Sequence, residues 1–368
     1  MIIGCTKEIK NNESRVAITP EQVELYAGEG HEVIIEKDAG TNAGFPDKEY
    51  RRVGAVIRDD MKEVYKEAQL IVKVKEILPP EYGLLRKDHI IFTNLHTALN
   101  CEETDVLLEK GCISFAAEDT HPQGTPNSEV AGKLGALMGV QQLLSTSGGP
   151  GKLIGGIAGV PGANVLVLGA GIVGVSALEV LVNLGANVTV ADVDRPRLRA
   201  IKHVFPHGLN TMFSTPYNIR GCLPHVDLVV NAVKWPKERT DHLITREMLK
   251  LMKPKSIIVD ISCDRAGAIE TCEPTTHDNP TFEVEGVTHY CVDNIPGAVP
   301  WTASIAYAYA ISARVLAIAS KGVVEACRGD QCILNALTTY NGVLTHKETS
   351  IVQSRPYTPP EVALGLAG

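Results

Sequence analysis

The stretch Val165-Leu-Val-Leu-Gly169-Ala-Gly171-Ile-Val-Gly174 constrains this chain more than any other. A short apolar strand runs into a G-x-G-x-x-G turn, and the turn opens an apolar helical run to Leu184. The glycine pattern alone is weak; its position between strand and helix gives it meaning. Gly169 suits the tight turn, Gly171 lets a pyrophosphate approach the backbone, and Gly174 permits close packing of helix on strand. The helix N-terminus offers free N–H groups and a positive dipole end to phosphate. The next strand ends in Asp192, roughly 20 residues after Gly169, where an acid binds ribose hydroxyls. A carboxylate there repels a 2′-phosphate, which favours NAD over NADP, although Arg195, Arg197 and Arg199 just beyond soften that preference. A glycine-rich turn holding no nucleotide is the alternative.

A dinucleotide fold needs strands alternating with helices, and the rest of the chain supplies them. Gly4–Glu8, Glu32–Glu36, Leu70–Val74, Ile90–Thr93 and Cys112–Ala116 read as strands before the glycine turn. Val165–Leu168, Val188–Ala191, Leu228–Val233, Ile257–Asp260 and Tyr290–Val292 read as a second series. Thr19-Pro20 starts a helix to Glu29, Ser128 caps one to Leu144, and Ala303–Ser320 is an Ala-rich helix. With 368 residues, two domains are expected. The class is α/β: two Rossmann-like parallel-sheet domains with a cleft between them. If the last helix crosses back, the N-terminal domain is discontinuous, with residues 1–127 and 304–368 forming the substrate domain and 128–303 the NAD-binding domain. The proline-rich tail after Ser354 reads as loosely held.

Composition narrows the partners. A net charge of −8 argues against a nucleic-acid binder. The N-terminus shows no leader pattern. Leu153–Leu178 is long and nearly uncharged, but Pro161, Asn164 and its glycines break it, so a buried core segment is expected rather than a membrane span. The nine cysteines form no C-x-x-C pair, and a cytoplasmic location without a disulfide framework is expected. Gly148-Gly-Pro-Gly-Lys152 lacks the hydroxyl residue of a phosphate loop. His203 and His207 flank Pro206, and Cys222 and His225 have no second pair, so no metal is predicted.

Five motifs together are specific: Asn11-Asn-Glu-Ser-Arg15-Val-Ala-Ile-Thr-Pro20, Lys73-Val-Lys75-Glu76, Phe92-Thr-Asn-Leu-His96, Ser128-Glu-Val-Ala-Gly132 and Asn294-Ile-Pro-Gly-Ala-Val-Pro300. In these, collinear from residue 1 to about 350, the chain resembles the alanine dehydrogenase family. The NAD-binding subunit of proton-translocating transhydrogenase shares the opening motif and matches the Ser128 helix and Asn294 loop less well. The resemblance implies reversible NAD-dependent deamination of L-alanine to pyruvate and ammonia, and a homohexamer.

It also implies roles. Arg15 and Lys75 would bind the substrate carboxylate, for which a forked guanidinium is well shaped. His96 would be the catalytic histidine, suited to proton exchange near neutral pH when water attacks the imine. Asp264, in Val-Asp260-Ile-Ser-Cys-Asp264, would be the catalytic aspartate, and Asp260 a structural neighbour. Ser128 would meet the cofactor's phosphates or nicotinamide side. Ile172 and Val173 would lie in the glycine turn, Asp192 on the ribose, and Arg197 and Ser214 near the adenosine. Val233, Ile261, Asn294 and Ile295 would line the nicotinamide pocket. Taken alone, Arg15 reads as a solvated surface charge and His96 as a packed structural histidine.

The chain departs from the family pattern around the reacting end of the cofactor. Lys234-Trp235-Pro-Lys-Glu-Arg239 replaces an apolar segment, Arg265-Ala266 follows Asp264 in place of Gln-Gly, and Trp301 stands where Arg or Lys is common. Trp235 could stack on a ligand or sit in a surface loop. Another amino acid as substrate, a saccharopine- or opine-type reductase, and a transhydrogenase NAD-binding subunit remain the alternatives.

Overall fold

The computed structural model describes all residues except 122–123, 237–238, 264–266 and 368. The strands, in chain order, are β1 (Ile2–Cys5), β2 (Glu32–Glu36), β3 (Val56–Arg58), β4 (Leu70–Val72), β5 (Ile90–Thr93) and β6 (Ile113–Ala116). A second series follows: β7 (Asn164–Leu168), β8 (Asn187–Asp192), β9 (Leu209–Phe213), β10 (Leu228–Asn231), β11 (Ile257–Asp260), β12 (Thr281–Val284) and β13 (Val287–Tyr290). The chain ends with β14 (Leu337–Tyr340) and β15 (Val343–Leu344).

These strands build two compact units. One comprises Met1–Pro126 with Gly297–Gly368, the other Asn127–Pro296. The second junction lies before residue 304, because the last long helix begins at Pro300 and carries its whole length into the first unit. The first unit holds an eight-stranded sheet in the order β15-β14-β6-β5-β4-β1-β2-β3, the second a seven-stranded sheet in the order β12-β13-β11-β10-β7-β8-β9. From β6 to β3 and from β13 to β9 every pairing is parallel.

Both faces of each parallel core are apolar, as helices on both sides require. In the first unit Ile3, Val33, Ile35, Leu70, Val72 and Phe92 face one core, while Ile34, Ile71 and Ile91, one step out of phase, face the other. In the second, Val165, Val167, Val190 and Val230 alternate with Leu166, Leu168 and Val229 in the same way. The helix Pro300–Lys321 is long and apolar enough to cross a membrane by composition. It lays Tyr307, Ile311, Val315 and Ile318 into the first unit's core, at the spacing of one helix face. Leu153–Leu178 holds a loop, β7, the glycine turn and part of a helix.

Three expectations need correction. Ser128 is not a helix cap: the helix runs from Pro126 to Gln142, so Ser128 lies in its first turn. The strand expected at Tyr290–Val292 is β13, which ends at Tyr290, where its register with β11 stops. The tail is packed: Thr358 N donates to Leu344 O at 3.0 Å, Arg355 pairs with Asp105 at 2.5 Å, and Leu364 joins the core. Strands β3, β9, β12, β14 and β15 escaped the sequence reading because they lie at or beside sheet edges and need no long apolar run.

Candidate active site

In the first unit, the loops after four adjacent parallel strands carry the polar groups. Arg15 follows β1, Lys75 follows β4, His96 follows β5 and Glu118 follows β6. Ligands of parallel sheets bind at these carboxyl ends. Arg15 is buried, and its Nε and Nη2 donate to the two carboxylate oxygens of Glu13 at 2.8 and 2.5 Å. Beside it, Val16 N donates to Ser304 Oγ at 3.0 Å, so the Pro300–Lys321 helix anchors this loop.

Lys75 sits in a loop held from behind. Glu8 Oε1 accepts from Val74 N at 2.6 Å and Lys75 N at 3.2 Å, and Thr93 Oγ1 donates to Lys75 O at 2.7 Å. Tyr307 Oη donates to Lys73 O at 3.1 Å. Beneath this loop Lys73 is fully buried between Glu81 Oε1 at 2.8 Å and Glu8 Oε2 at 3.4 Å. Burial, with the charge of Lys10 next, pulls the Lys75 pKa below the ordinary lysine value; Arg15 pushes the same way, against Glu76 and Glu13. Among the described residues its ammonium makes no hydrogen bond or ion pair, which leaves it available to an anionic ligand.

His96 has φ of 51° and ψ of 35°, a left-handed conformation unusual for a residue with a side chain. Its ring is half-exposed. Its partner is Glu118, a residue sequence reasoning missed although its carboxylate follows the next strand along the sheet.

The second unit presents its own set at the carboxyl ends of its strands. Gly169 turns at φ of 92°. A Cβ at Gly174 would stand 2.0 Å from Gly169 O, whereas one at Gly171 would meet nothing within 4 Å. The turn is therefore closed behind and open in front. Asp192 Oδ2 accepts from Ala170 N at 2.7 Å, and its Oδ1 accepts from Asp194 N at 2.8 Å. Arg197 Nη1 lies 3.7 Å from Asp192 Oδ2, and Ser214 N donates to Asp192 O at 3.0 Å, which groups three of the expected cofactor residues. Ile172 and Val173 open the helix after the turn.

The other expected residues follow β10, β11 and β13. Val233 N donates to Asn231 Oδ1 at 3.3 Å. Ile261 and Ile295 approach Gly135 so closely that a Cβ there would stand 2.6 and 3.7 Å from their Cδ1 atoms. One turn earlier, a Cβ at Gly132 would stand 2.2 Å from Val173 O. Ser128 lies one further turn back on that face of the helix Pro126–Gln142. Asn294 is buried, and His277 Nε2 donates to its carbonyl at 2.8 Å. Asp264 and Arg265 lie outside the described residues. Asp260 is buried, accepting from Asn231 Nδ2 at 2.8 Å and Ser262 N at 3.1 Å; burial, then the nearby Cys263, pushes its pKa up to about 7.

Trp235 is not an exposed aromatic of a surface loop. It is buried, donates through Nε1 to Asp241 O at 3.0 Å, and carries the Arg239 guanidinium 4.0 Å over its ring. Trp301 is 58% exposed and covers Gly44 within the first unit. Among the described residues no His, Cys, Asp and Glu side chains are grouped to hold a metal.

The model of the alanine dehydrogenase/PNT N-terminal domain matches residues 4–126, and that of the corresponding C-terminal domain matches 135–347. The alanine dehydrogenase of Bacillus subtilis (strain 168) is 42% identical over 370 residues, 99% of this chain and 98% of its own. A solved L-alanine dehydrogenase superimposes with a TM-score of 0.91 at 37% identity, covering 96% of this chain and 99% of that one. A solved transhydrogenase from Sinorhizobium meliloti gives 0.76 at 25% identity, over 94% and 99%.

Proposed function

This chain belongs to the alanine dehydrogenase/PNT family, and from that premise we propose that it catalyses the reversible deamination of L-alanine: L-alanine, NAD⁺ and water give pyruvate, ammonium, NADH and a proton. The observation that carries this reading is the convergence of Arg15, Lys75 and His96 at the carboxyl ends of the adjacent strands β1, β4 and β5.

The second unit's residues fit a dinucleotide. The open front of Gly171 would admit a pyrophosphate, the helix from Ile172 would offer its N-terminal amides, and Asp192, fixed by Ala170 N and Asp194 N, would hold a ribose. Arg197, Ser214 and Ser128 would bind around these groups, with Val233, Ile261, Asn294 and Ile295 at the nicotinamide. Bound NAD⁺ supplies the hydride acceptor.

The remaining work falls to the chain's side chains. Arg15 is held by Glu13, and the Lys75 ammonium makes no ion pair among the described residues, so the two bind and orient the substrate carboxylate. His96 exchanges the proton of the water that attacks the imine carbon. Asp264 is proposed, on the resemblance, to hold that water and the amine. Trp235 is engaged within its own loop, which favours alanine over a substrate recognised by that indole. A homohexamer working in the cytoplasm completes the proposal; light scattering on the eluted protein tests the subunit count.

The experiment is NADH formation by the purified protein with NAD⁺ and a panel of L-amino acids, run in reverse with keto acids and ammonia. Turnover greatest with alanine and pyruvate supports the reading. Turnover with another pair alone moves the substrate assignment, and bound NADH without turnover on any pair overturns it in favour of a transhydrogenase-type subunit.

A further inference from the structure

His96 is held in a closed circuit of polar contacts that extends well beyond its own loop. Glu118 accepts from two successive amides, Leu95 N to Oε2 at 3.2 Å and His96 N to Oε1 at 2.7 Å. The same Oε1 lies 3.3 Å from His96 Nδ1. The next residue, Asp119, places Oδ2 3.1 Å from His346 Nε2. His346 Nδ1 meets Thr349 Oγ1 at 2.7 Å, and Thr349 Oγ1 meets Thr97 Oγ1 at 2.7 Å. Thr97 is bonded to His96, so the circuit closes. Gln353 Nε2 adds a contact to Thr97 O at 2.5 Å.

Two physical consequences follow. A left-handed backbone is strained at a residue with a Cβ, and it persists here because Glu118 binds the amides on one side while Thr349 and Gln353 pin Thr97 on the other. The His96 Nδ1 contact with Glu118 Oε1 at 3.3 Å is a charge contact outside hydrogen-bond alignment, and a negative carboxylate there favours the proton on the ring nitrogen nearest it. Of the two nitrogens, Nδ1 is the one facing Glu118.

We infer that Glu118 is a positioning residue that fixes His96 as the Nδ1–H tautomer and leaves Nε2 as the basic nitrogen, an inference that rests on the reading of His96 as the base. The circuit through Asp119, His346 and Thr349 keeps the turn carrying Glu118 and the turn after His96 in register. Glu118 acts through His96 and does not itself touch the reacting atoms.

The test uses the full-length protein labelled with ¹⁵N-histidine, with two-bond ¹⁵N–¹H spectra reading the tautomer and the His96 signals identified by their loss in His96→Gln. The native protein is expected to show a protonated Nδ1 and a bare Nε2 at His96. Glu118→Gln is expected to lower kcat tenfold or more and mix the tautomers, with the alanine KM and the NADH dissociation constant within twofold of native. A merely structural role would not move the tautomer while sparing both binding constants. A native Nε2–H tautomer, or Glu118→Gln with native kcat, overturns the inference. If Glu118→Gln does not fold, the native spectrum decides alone. An active His96→Gln ends the base assignment separately, because the tautomer is read without turnover.

Discussion

The Arg15 guanidinium lies in a fork against the Glu13 carboxylate, Nε to Oε1 at 2.8 Å and Nη2 to Oε2 at 2.5 Å, with both residues buried. A buried cation aimed at an incoming carboxylate needs such a partner to remain charged and oriented when the site is empty. Arg15→Ala removes the clamp and the guanidinium contacts of Glu13, leaving the amide of residue 15 on Glu13 Oε1. The expected kinetic result is an alanine KM raised about 10- to 100-fold, the equivalent of the roughly 1.5–3 kcal/mol typical of a hydrogen bond to a charged group. Because the clamp binds substrate and transition state alike, kcat changes less. Unchanged KM and kcat would refute the clamp. Thermal unfolding supplies an internal control: pairing Arg15→Met with Glu13→Gln is expected to recover stability without recovering KM.

The glycine turn separates packing from binding. Gly174→Ala drives a methyl to 2.0 Å from Gly169 O, and the helix Ile172–Asn183 must lift from β7. A stability loss of about 1–3 kcal/mol is expected, as for other overpacked cores. Gly171→Ala meets no atom within 4 Å and needs no positive φ, so the melting temperature is expected to stay near native. The NADH dissociation constant is expected to rise at least tenfold, measured by quenching or calorimetry. If Gly171→Ala binds NADH normally, the pyrophosphate lies elsewhere.

The contrast between these glycines shows how far the sequence reaches. Strand–glycine–helix order and the acid at Asp192 were legible because they are local: each requirement is met within one βαβ unit. Arg15, Lys75 and His96 could be named only through a family resemblance, since what qualifies them is the neighbouring order of β1, β4 and β5 in the sheet, a long-range fact. Glu118 escaped for the same reason. Its significance lies in two amides more than twenty residues upstream, and a carboxylate after a strand has no pattern of its own. Trp235 was ambiguous because indole burial depends on the carbonyl of Asp241 folding back to it.

Lys73 is the charge most deeply committed to the first unit. Its ammonium is wholly buried between Glu81 and Glu8, and Tyr65 Oη donates to Glu81 Oε1 at 2.9 Å. Burial alone would lower its pKa; the two carboxylates outweigh that and raise it above the ordinary value. Lys73→Met leaves two buried carboxylates without a cation, and a loss of about 3–5 kcal/mol is expected in denaturant unfolding. The same variant is expected to raise the alanine KM, since Glu8 also holds the amides of Val74 and Lys75. A variant of native stability would mean that the carboxylates take up protons at little cost.

Asp260 gives the second unit a pH signature. Its carboxyl is buried at the end of β11, and burial, followed by the neighbouring Cys263, moves its pKa from the ordinary 3.8 up to about 7. The folded state then holds the proton more tightly than the unfolded chain. Its contribution is fully present below about pH 4 and is lost as the pH rises through about 7, because over that window the unfolded chain has already released the proton. Asp260→Asn keeps an oxygen for Asn231 Nδ2 and Ser262 N and replaces the acid's hydroxyl by an amide donor. The variant is expected to be as stable as native near pH 4 and more stable at pH 8, flattening that part of the profile. Urea unfolding at closely spaced pH values measures it. Parallel native and variant curves over the whole window would place the Asp260 proton outside the folding equilibrium.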